Sequence, residues 1–177
     1  MKDIPPESLM KLAIAVHLDG ARAQVAAVEF DAWDSPEAAK TYLTSITPIE
    51  PPPARGELDL RALSCVMQLL REHRLAPELI VIDACFVHLD AHEAPGLGQH
   101  LFQALGGAIP VIGVSKTGRP GLTAQFEVMR EEEAKPLVVT SAGVDIGAAK
   151  ARLRAMHGRK RVPTLMKLVA RLAKSEG

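Results

Sequence analysis

Four apolar residues that lead directly into an acidic residue constrain this chain more than any other feature of its sequence. The run Leu79-Ile80-Val81-Ile82 precedes Asp83 and contains no polar alternation. Such a run is typical of a strand that is covered on both faces, as in the middle of an α/β sheet. A carboxylate at the carboxyl end of that strand lies where open α/β sheets bind ligands. Taken alone, the stretch favours a simpler interpretation, in which Asp83 only turns the chain after the strand.

Length and composition predict one domain that spans residues 1–177. The 177 residues suffice for one well-packed core and are too few for two domains of ordinary size. With 21 basic and 21 acidic residues, any contact with nucleic acid needs a local basic patch. An aromatic content of 3% argues against a base-stacking surface.

The amino-terminal segment and the cysteines bear on location. Residues 1–10 contain Pro5 and Pro6 and no apolar core, so we expect a poorly ordered lead rather than a signal peptide. No apolar run approaches the roughly 20 residues that cross a bilayer. Cys65 and Cys85 have no partner at metal-ligand spacing, which favours a reduced, cytoplasmic protein.

The spacing of apolar residues predicts a hairpin followed by alternating helices and strands. Period-two alternation around Asp19-Gly20 predicts the hairpin over 12–30. Apolar residues at steps of three and four predict a helix over 59–73. The other predicted elements are helices over 36–42, 97–105, 145–157 and from Pro163 onward, and strands over 43–46, 109–114 and 137–140. This order predicts a mixed sheet with helices on its faces.

Two acidic residues and one lysine are the main candidates for chemistry. Asp83 ends a predicted strand, and Asp59 begins a predicted helix. Neighbouring carboxylates hold Mg²⁺, which can activate water for phosphodiester cleavage. Lys116 follows another predicted strand and can place a positive charge beside a phosphate. The simpler alternatives are a helix cap for Asp59, a turn for Asp83 and a solvated loop position for Lys116.

The histidines and the basic carboxyl-terminal segment give weaker signals. His17 faces the small-residue side of the first strand, where a hydrogen-bonded structural histidine is the simpler alternative to a metal ligand. The last predicted helices carry a basic run, which is a solvated surface or a footprint for a nucleic-acid backbone. Its members are Arg152, Arg154, Arg159, Lys160, Arg161, Lys167, Arg171 and Lys174.

Several motifs occur in an order that resembles the endonuclease V family, repair nucleases that act at deaminated purines. These motifs are Ile80-Val81-Ile82-Asp83-Ala84, Gly96-Leu97-Gly98-Gln99-His100-Leu101, Pro110-Val111-Ile112-Gly113-Val114-Ser115-Lys116, Pro136-Leu137-Val138-Val139-Thr140-Ser141-Ala142-Gly143 and Arg161-Val162-Pro163. The resemblance covers roughly residues 12–172, and the segment that ends at Lys116 is its most specific part.

The resemblance implies a metal site and a phosphate contact. Asp83 matches the family's acidic ligand at the strand end, Asp59 falls near a glutamate ligand, and Lys116 matches a lysine at the scissile region. Glu57 is a less well-placed substitute for Asp59. His17 falls where the family has a metal-binding aspartate.

Other family positions carry different residues in this chain. Ala84 and Phe86 replace glycines that follow the strand aspartate, and Val144 replaces a histidine. The family's His-Pro-Arg motif is also missing, with His88 and His92 as partial substitutes.

These observations lead to a ribonuclease H-like α/β fold and to two related functional hypotheses. The first is a nuclease that cleaves single- or double-stranded nucleic acid containing deaminated bases. In it, Asp83 and Asp59, with His17, hold Mg²⁺ or Mn²⁺, and Lys116 steadies the phosphate. The second is a catalytically inactive relative that binds nucleic acid or protein. An unrelated small α/β interaction domain is a third alternative.

Overall fold

The computed structural model describes residues 10–131 and 135–175. Apart from Met10, the predicted amino-terminal lead lies outside these residues, as does most of the acidic run over 131–133. Within the described part, no helix is both long and apolar enough to span a bilayer.

A seven-stranded mixed sheet forms the centre of the molecule. The strands are β1 Lys11–Asp19, β2 Arg22–Phe30, β3 Lys40–Ile46, β4 Leu79–Asp83, β5 Val111–Ser115, β6 Glu127–Val128 and β7 Leu137–Ala142. Their order across the sheet is β3-β2-β1-β4-β5-β7-β6, in which β1, β4 and β5 run parallel and the other pairs are antiparallel. The run that ends at Asp83 is therefore the central strand, as its uninterrupted apolar sequence predicts.

Four α-helices cover the two faces of this sheet. They are α1 Arg61–Glu72, α2 Leu97–Ala104, α3 Ile146–Ala155 and α4 Thr164–Lys174. Period-two alternation divides the apolar side chains of β1 between the faces: Leu12 and Ile14 pack in the core with α1 and α2, and Ala13 and Ala15 in the core with α3 and α4. The predicted mixed α/β sheet with helices on both faces is confirmed.

The structure differs from the predicted elements in three places. The segment predicted as a helix over 36–42 contains no helix, because β3 begins at Lys40 and pairs along β2. The helix predicted over 59–73 begins at Arg61, and its N-cap is Leu60. The segment from Ala124, which had no predicted element, forms a short 3₁₀ turn and then β6. Short edge elements carry little periodicity, so sequence patterns determine them poorly.

Candidate functional site

Asp83 and Lys116 lie in one cleft at the carboxyl ends of β4 and β5. Asp83 is the last residue of β4, and it pairs with Val114 of β5, two residues before Lys116. The cleft has a volume of about 480 Å³. Its other lining residues are Val162, Met166, Lys167, Ala170, Arg171, Lys174 and Ser175. Parallel pairing of the two strands thus brings together two of the predicted site residues.

The carboxyl group of Asp83 lies in a partly desolvated environment. Burial raises its pKa above the ordinary value of 3.8, because desolvation disfavours the charged form. The Lys116 ammonium, the Ala84 backbone N–H and the Lys174 ammonium lower the pKa, but together by less than burial raises it. Among the described residues, Asp83 forms no salt bridge. Two nearby cations, rather than a direct ion pair, therefore balance its charge.

The backbone after Asp83 turns through a conformation that favours glycine. Ala84 has a φ of 53°, in the left-handed region that L-residues with a side chain adopt at a cost. The chain then passes close over β5, where a Cβ at Gly113 would lie 2.5 Å from the Cys85 carbonyl oxygen. The same loop is tied to β7, since the Val87 N–H donates to Thr140 Oγ1 at 2.8 Å. These contacts fix the direction in which the chain leaves Asp83.

Two arginines hold the loop of Lys116 in place. Arg161 donates to the backbone carbonyls of Lys116, Pro136 and, at 2.7 Å, Lys135. The guanidinium of Arg130 in turn donates to four carbonyls of the segment that contains Arg161. These are the carbonyls of Met156, Gly158, Lys160 and Arg161. The Lys116 loop and the loop before α4 are therefore connected through side-chain to backbone hydrogen bonds.

His17 lies next to the Asp83 cleft but in a separate depression of about 270 Å³. Asp19, Arg22 and Gln24 also line this depression, and Lys174 and Ser175 line both cavities. Gln24 donates through its amide to the carbonyls of Leu172, Ala173 and Ser175, and so closes the end of α4 over β1 and β2. The end of α4 thus lies at the junction of the two cavities.

Asp59 lies in a third cavity, with the loop that follows β3. It accepts the Arg61 backbone N–H at 3.0 Å, and its two oxygens accept hydrogen bonds from the Arg61 guanidinium at 2.7–3.2 Å. These guanidinium hydrogen bonds lower the pKa of Asp59. The side chain is not a helix cap in the predicted sense, because Leu60 occupies the N-cap position. Its carboxylate is held by an arginine, and it does not line the cleft of Asp83.

The residues predicted to hold a metal ion do not lie together in the cleft. Mg²⁺ in proteins is held by one or more carboxylates together with waters or substrate phosphates, in near-octahedral geometry. Among the residues that the structure describes, Asp83 is the one carboxylate that lines this cleft, and Asp59 and His17 line other cavities. Across residues 10–131 and 135–175, no three His, Cys, Asp or Glu side chains are placed together to bind a metal.

Helix α4 contributes the strongest charge at the site. Lys167, Arg171 and Lys174 are exposed and line the cleft, while Leu165, Met166, Val169 and Ala173 are buried against the sheet. Period-3.6 spacing places the two sets on different faces of the helix. The sequence identified this segment as basic, but it did not show that three of its cations face Asp83 and Lys116.

Solved structures of endonuclease V share this fold at low sequence identity. The Bacillus subtilis endonuclease V matches with a TM-score of 0.74 and 18% identity, over 96% of this chain and 81% of that one. The Streptomyces avermitilis endonuclease V matches with a TM-score of 0.71 and 23% identity, over 97% of this chain and 82% of that one. A Ciona intestinalis endonuclease V was solved with DNA that contains an inosine followed by a ribo-adenosine. It matches with a TM-score of 0.70 and 14% identity, over 93% of this chain and 84% of that one.

No protein-family model matches the sequence, and no curated protein matches it either. The structural likeness therefore concerns the course of the backbone over nearly the whole chain. It agrees with the motif order in the sequence, which resembles the same family. The chain has the ribonuclease H-like fold of the endonuclease V structures.

Proposed function

We propose that this protein binds nucleic acid in the cleft between Asp83, Lys116 and helix α4, and that it does so without hydrolysing the strand. The observation that carries the proposal is the lining of the cleft, in which the described residues include Lys116, three cations of α4 and one carboxylate, that of Asp83. The Ciona protein of the same fold was solved with inosine-containing DNA, which supports nucleic acid as the ligand class.

Phosphate recognition follows from the chemistry of the lining residues. Lys116 and the α4 cations offer ammonium and guanidinium donors, which bind phosphate oxygens by charge-assisted hydrogen bonds. Arg161 holds the backbone of Lys116, so this residue has a defined position relative to α4. The cleft has no aromatic lining residue, so base stacking contributes little and affinity depends on charge.

Hydrolysis that depends on Mg²⁺ or Mn²⁺ stays a prediction from the family resemblance. We favour binding because no second carboxylate of residues 10–131 and 135–175 lines the cleft of Asp83, and because Asp59 is engaged by Arg61. A preference for deaminated bases is a further prediction of the same kind. The positions after Asp83 that carry glycine in the family carry Ala84 and Phe86 here.

A paired binding and cleavage experiment tests the proposal. Wild type and Asp83→Ala are incubated with single-stranded DNA and RNA, each with and without inosine, in Mg²⁺ or Mn²⁺. We expect salt-sensitive binding to all four strands and no cleavage above the level of Asp83→Ala. Cleavage that Asp83→Ala abolishes would overturn the non-hydrolysing assignment and establish the nuclease. Binding that is absent, or that does not weaken with salt, would exclude a phosphate-binding cleft.

A further inference from the structure

We infer that the exposed face of α4, together with Arg159 in the loop before it, is a track for the backbone of single-stranded nucleic acid, which runs from Arg159 past Lys167 and Arg171 to Lys174. The inference rests on the proposed function and deepens it, because it assigns a strand type and a path to the ligand. The four residues are called the α4 track below.

Three neighbouring cavities along α4 share lining residues, and together they are called the groove below. A depression of about 350 Å³ near Arg159 and Lys160 shares Val162, Lys167 and Arg171 with the Asp83 cleft. The cleft in turn shares Lys174 and Ser175 with the depression of His17. A ligand that lies along α4 therefore passes three neighbouring depressions in turn.

No salt bridge among the described residues involves the α4 track. In the part of the chain that the structure describes, salt bridges involve Lys11, Arg61, His73 and Lys160. None of them involves a residue of the α4 track, and all four residues of the track are exposed. Lys174 lies near the Asp83 carboxyl without an ion pair to it. A row of exposed cations that are not held in salt bridges attracts a polyanion and releases its counterions on binding.

The spacing of the track suits successive phosphates. Lys167 and Arg171 are four residues apart and Lys174 is three further, so all three project from the same face of the helix. The rise of the helix separates them by about 6 Å and then about 4.5 Å along its axis. Long side chains extend this reach, so each cation can meet its own phosphate of an extended strand.

The apolar residues of α4 argue against a lipid surface as the partner. A helix that binds a membrane inserts its apolar face between the lipids. The apolar side chains of α4, including Leu165, Met166 and Val169, are buried in the core with the sheet. Only the cationic face is available, which suits a soluble polyanion better than a bilayer.

The shape of the groove favours one strand over a duplex. Lys116 lies on one side of the cleft and α4 on the other, with Asp83 at the end of the central strand between them. A single strand can enter such a groove with its phosphates toward α4. A duplex presents a wide, convex surface, which meets a raised patch of charge more readily than a recessed one.

Salt-dependent binding of a fluorescein-labelled oligo(dT) of about 12 nucleotides tests the track, since single-strand sites span roughly 4–16 nucleotides. For single strands, the logarithm of the binding constant falls by about 0.7 for each phosphate neutralised, per tenfold increase in salt. Together with Lys116, the four residues of the track make five cations, which predict a slope of about −3.5 for wild type. The triple variant Lys167→Gln, Arg171→Gln, Lys174→Gln keeps two cations and should have a slope of about −1.4 and at least a tenfold weaker affinity at low salt.

A matched control carries Lys40→Gln, Arg55→Gln and Arg154→Gln, which remove the same charge from exposed positions that do not line the groove. We expect the control to bind almost as wild type, and a duplex of equal length to bind more weakly than the single strand. Circular dichroism of both triple variants establishes that they are folded.

The outcomes separate the track from the proposed function. If wild type binds the strand and the α4 variant keeps its slope and affinity, the track is wrong and the proposed function stands. Equal loss in the control variant, or tighter binding of the duplex, also overturns the track. Binding to phosphatidylserine vesicles that depends on the same three residues would overturn the track and assign a lipid surface as the ligand of α4. If wild type binds no strand at low salt, both the track and the proposed function fail.

Discussion

Asp83 and Lys116 lie at the carboxyl ends of two neighbouring parallel strands, β4 and β5, and the Lys116 ammonium lowers the pKa of the Asp83 carboxyl, which burial raises. The two residues are 33 positions apart in the chain (116 − 83) and share a cleft only because β4 and β5 pair in register. Their relationship gives the site a charge balance that a ligand phosphate would alter.

The raised pKa of Asp83 predicts a definite pH dependence of stability. Because the folded state holds this proton more tightly than the unfolded state, stability falls as pH rises from the ordinary value of 3.8 through the raised value. Asp83→Asn should therefore increase the free energy of unfolding at pH 7, and by less at pH 4. Lys116→Met removes a charge that favours the ionised Asp83 carboxylate, so it should lower the free energy of unfolding at pH 7. Urea denaturation at both pH values measures this, with the exposed Asp34→Asn as control; a pH-independent effect of Asp83→Asn would contradict the prediction.

The positive φ of Ala84 predicts that glycine stabilises this position. Ala84→Gly removes a left-handed conformation that costs an L-residue about 1–2 kcal/mol, and it adds some flexibility to the unfolded chain. We expect the free energy of unfolding to rise by about 0.5–1 kcal/mol. Ala94→Gly, where φ is not positive, should destabilise instead. A decrease in stability for both variants would show that Ala84 is unstrained.

The close approach of two backbones predicts that Gly113 does not tolerate a side chain. Gly113→Ala would place a Cβ 2.5 Å from the Cys85 carbonyl oxygen and 3.1 Å from Thr140 Oγ1. We expect a loss of about 1–3 kcal/mol in unfolding free energy, as for other overpacked sites. Gly118→Ala is the matched control, since its Cβ would meet only Val138 at 3.8 Å. Thermal denaturation should separate the two variants, and equal melting temperatures would contradict the prediction.

The hydrogen bonds of Arg161 predict that this residue affects binding by positioning the Lys116 loop rather than by its charge. Arg161→Lys keeps the positive charge but loses the fork that donates to the carbonyls of Lys116, Lys135 and Pro136 together. Oligonucleotide affinity should fall several-fold while the salt slope stays as in wild type, because the number of available cations is unchanged. A reduced slope would instead mean that Arg161 itself contacts phosphate. Arg154→Lys, at an exposed position that does not line the groove, serves as the control.

Local sequence patterns correctly predicted most of the elements that build the site. The alternation around Asp19-Gly20 gave the β1–β2 hairpin, and the run before Asp83 gave the central strand. Motif order identified the endonuclease V-like fold, which the structural comparisons confirm. The helix over 36–42 was wrong because the segment from Lys40 gains more by pairing with β2 than by local helix formation.

The predicted site residues fare differently from one another. Asp83 and Lys116 come together, whereas Asp59 pairs with Arg61 and His17 occupies the adjoining depression. Metal binding by these residues stays a prediction, and the geometry does not supply a common ligand set for it. Asp59 and Arg61 are only two residues apart, so the sequence already places an arginine close enough to pair with this carboxylate.

The sequence by itself determined most of the strands and helices and the basic character of the carboxyl-terminal segment, because each depends on the periodicity or composition of neighbouring residues. Tertiary structure alone decided which charges meet. Gln24 closes the end of α4 from 151 residues away, and Arg161 reaches Lys116 across 45 residues. Long-range contacts of this kind depend on how the helices pack on the sheet. No local pattern contains the information that turns a basic helix and a strand-end aspartate into two walls of one cleft.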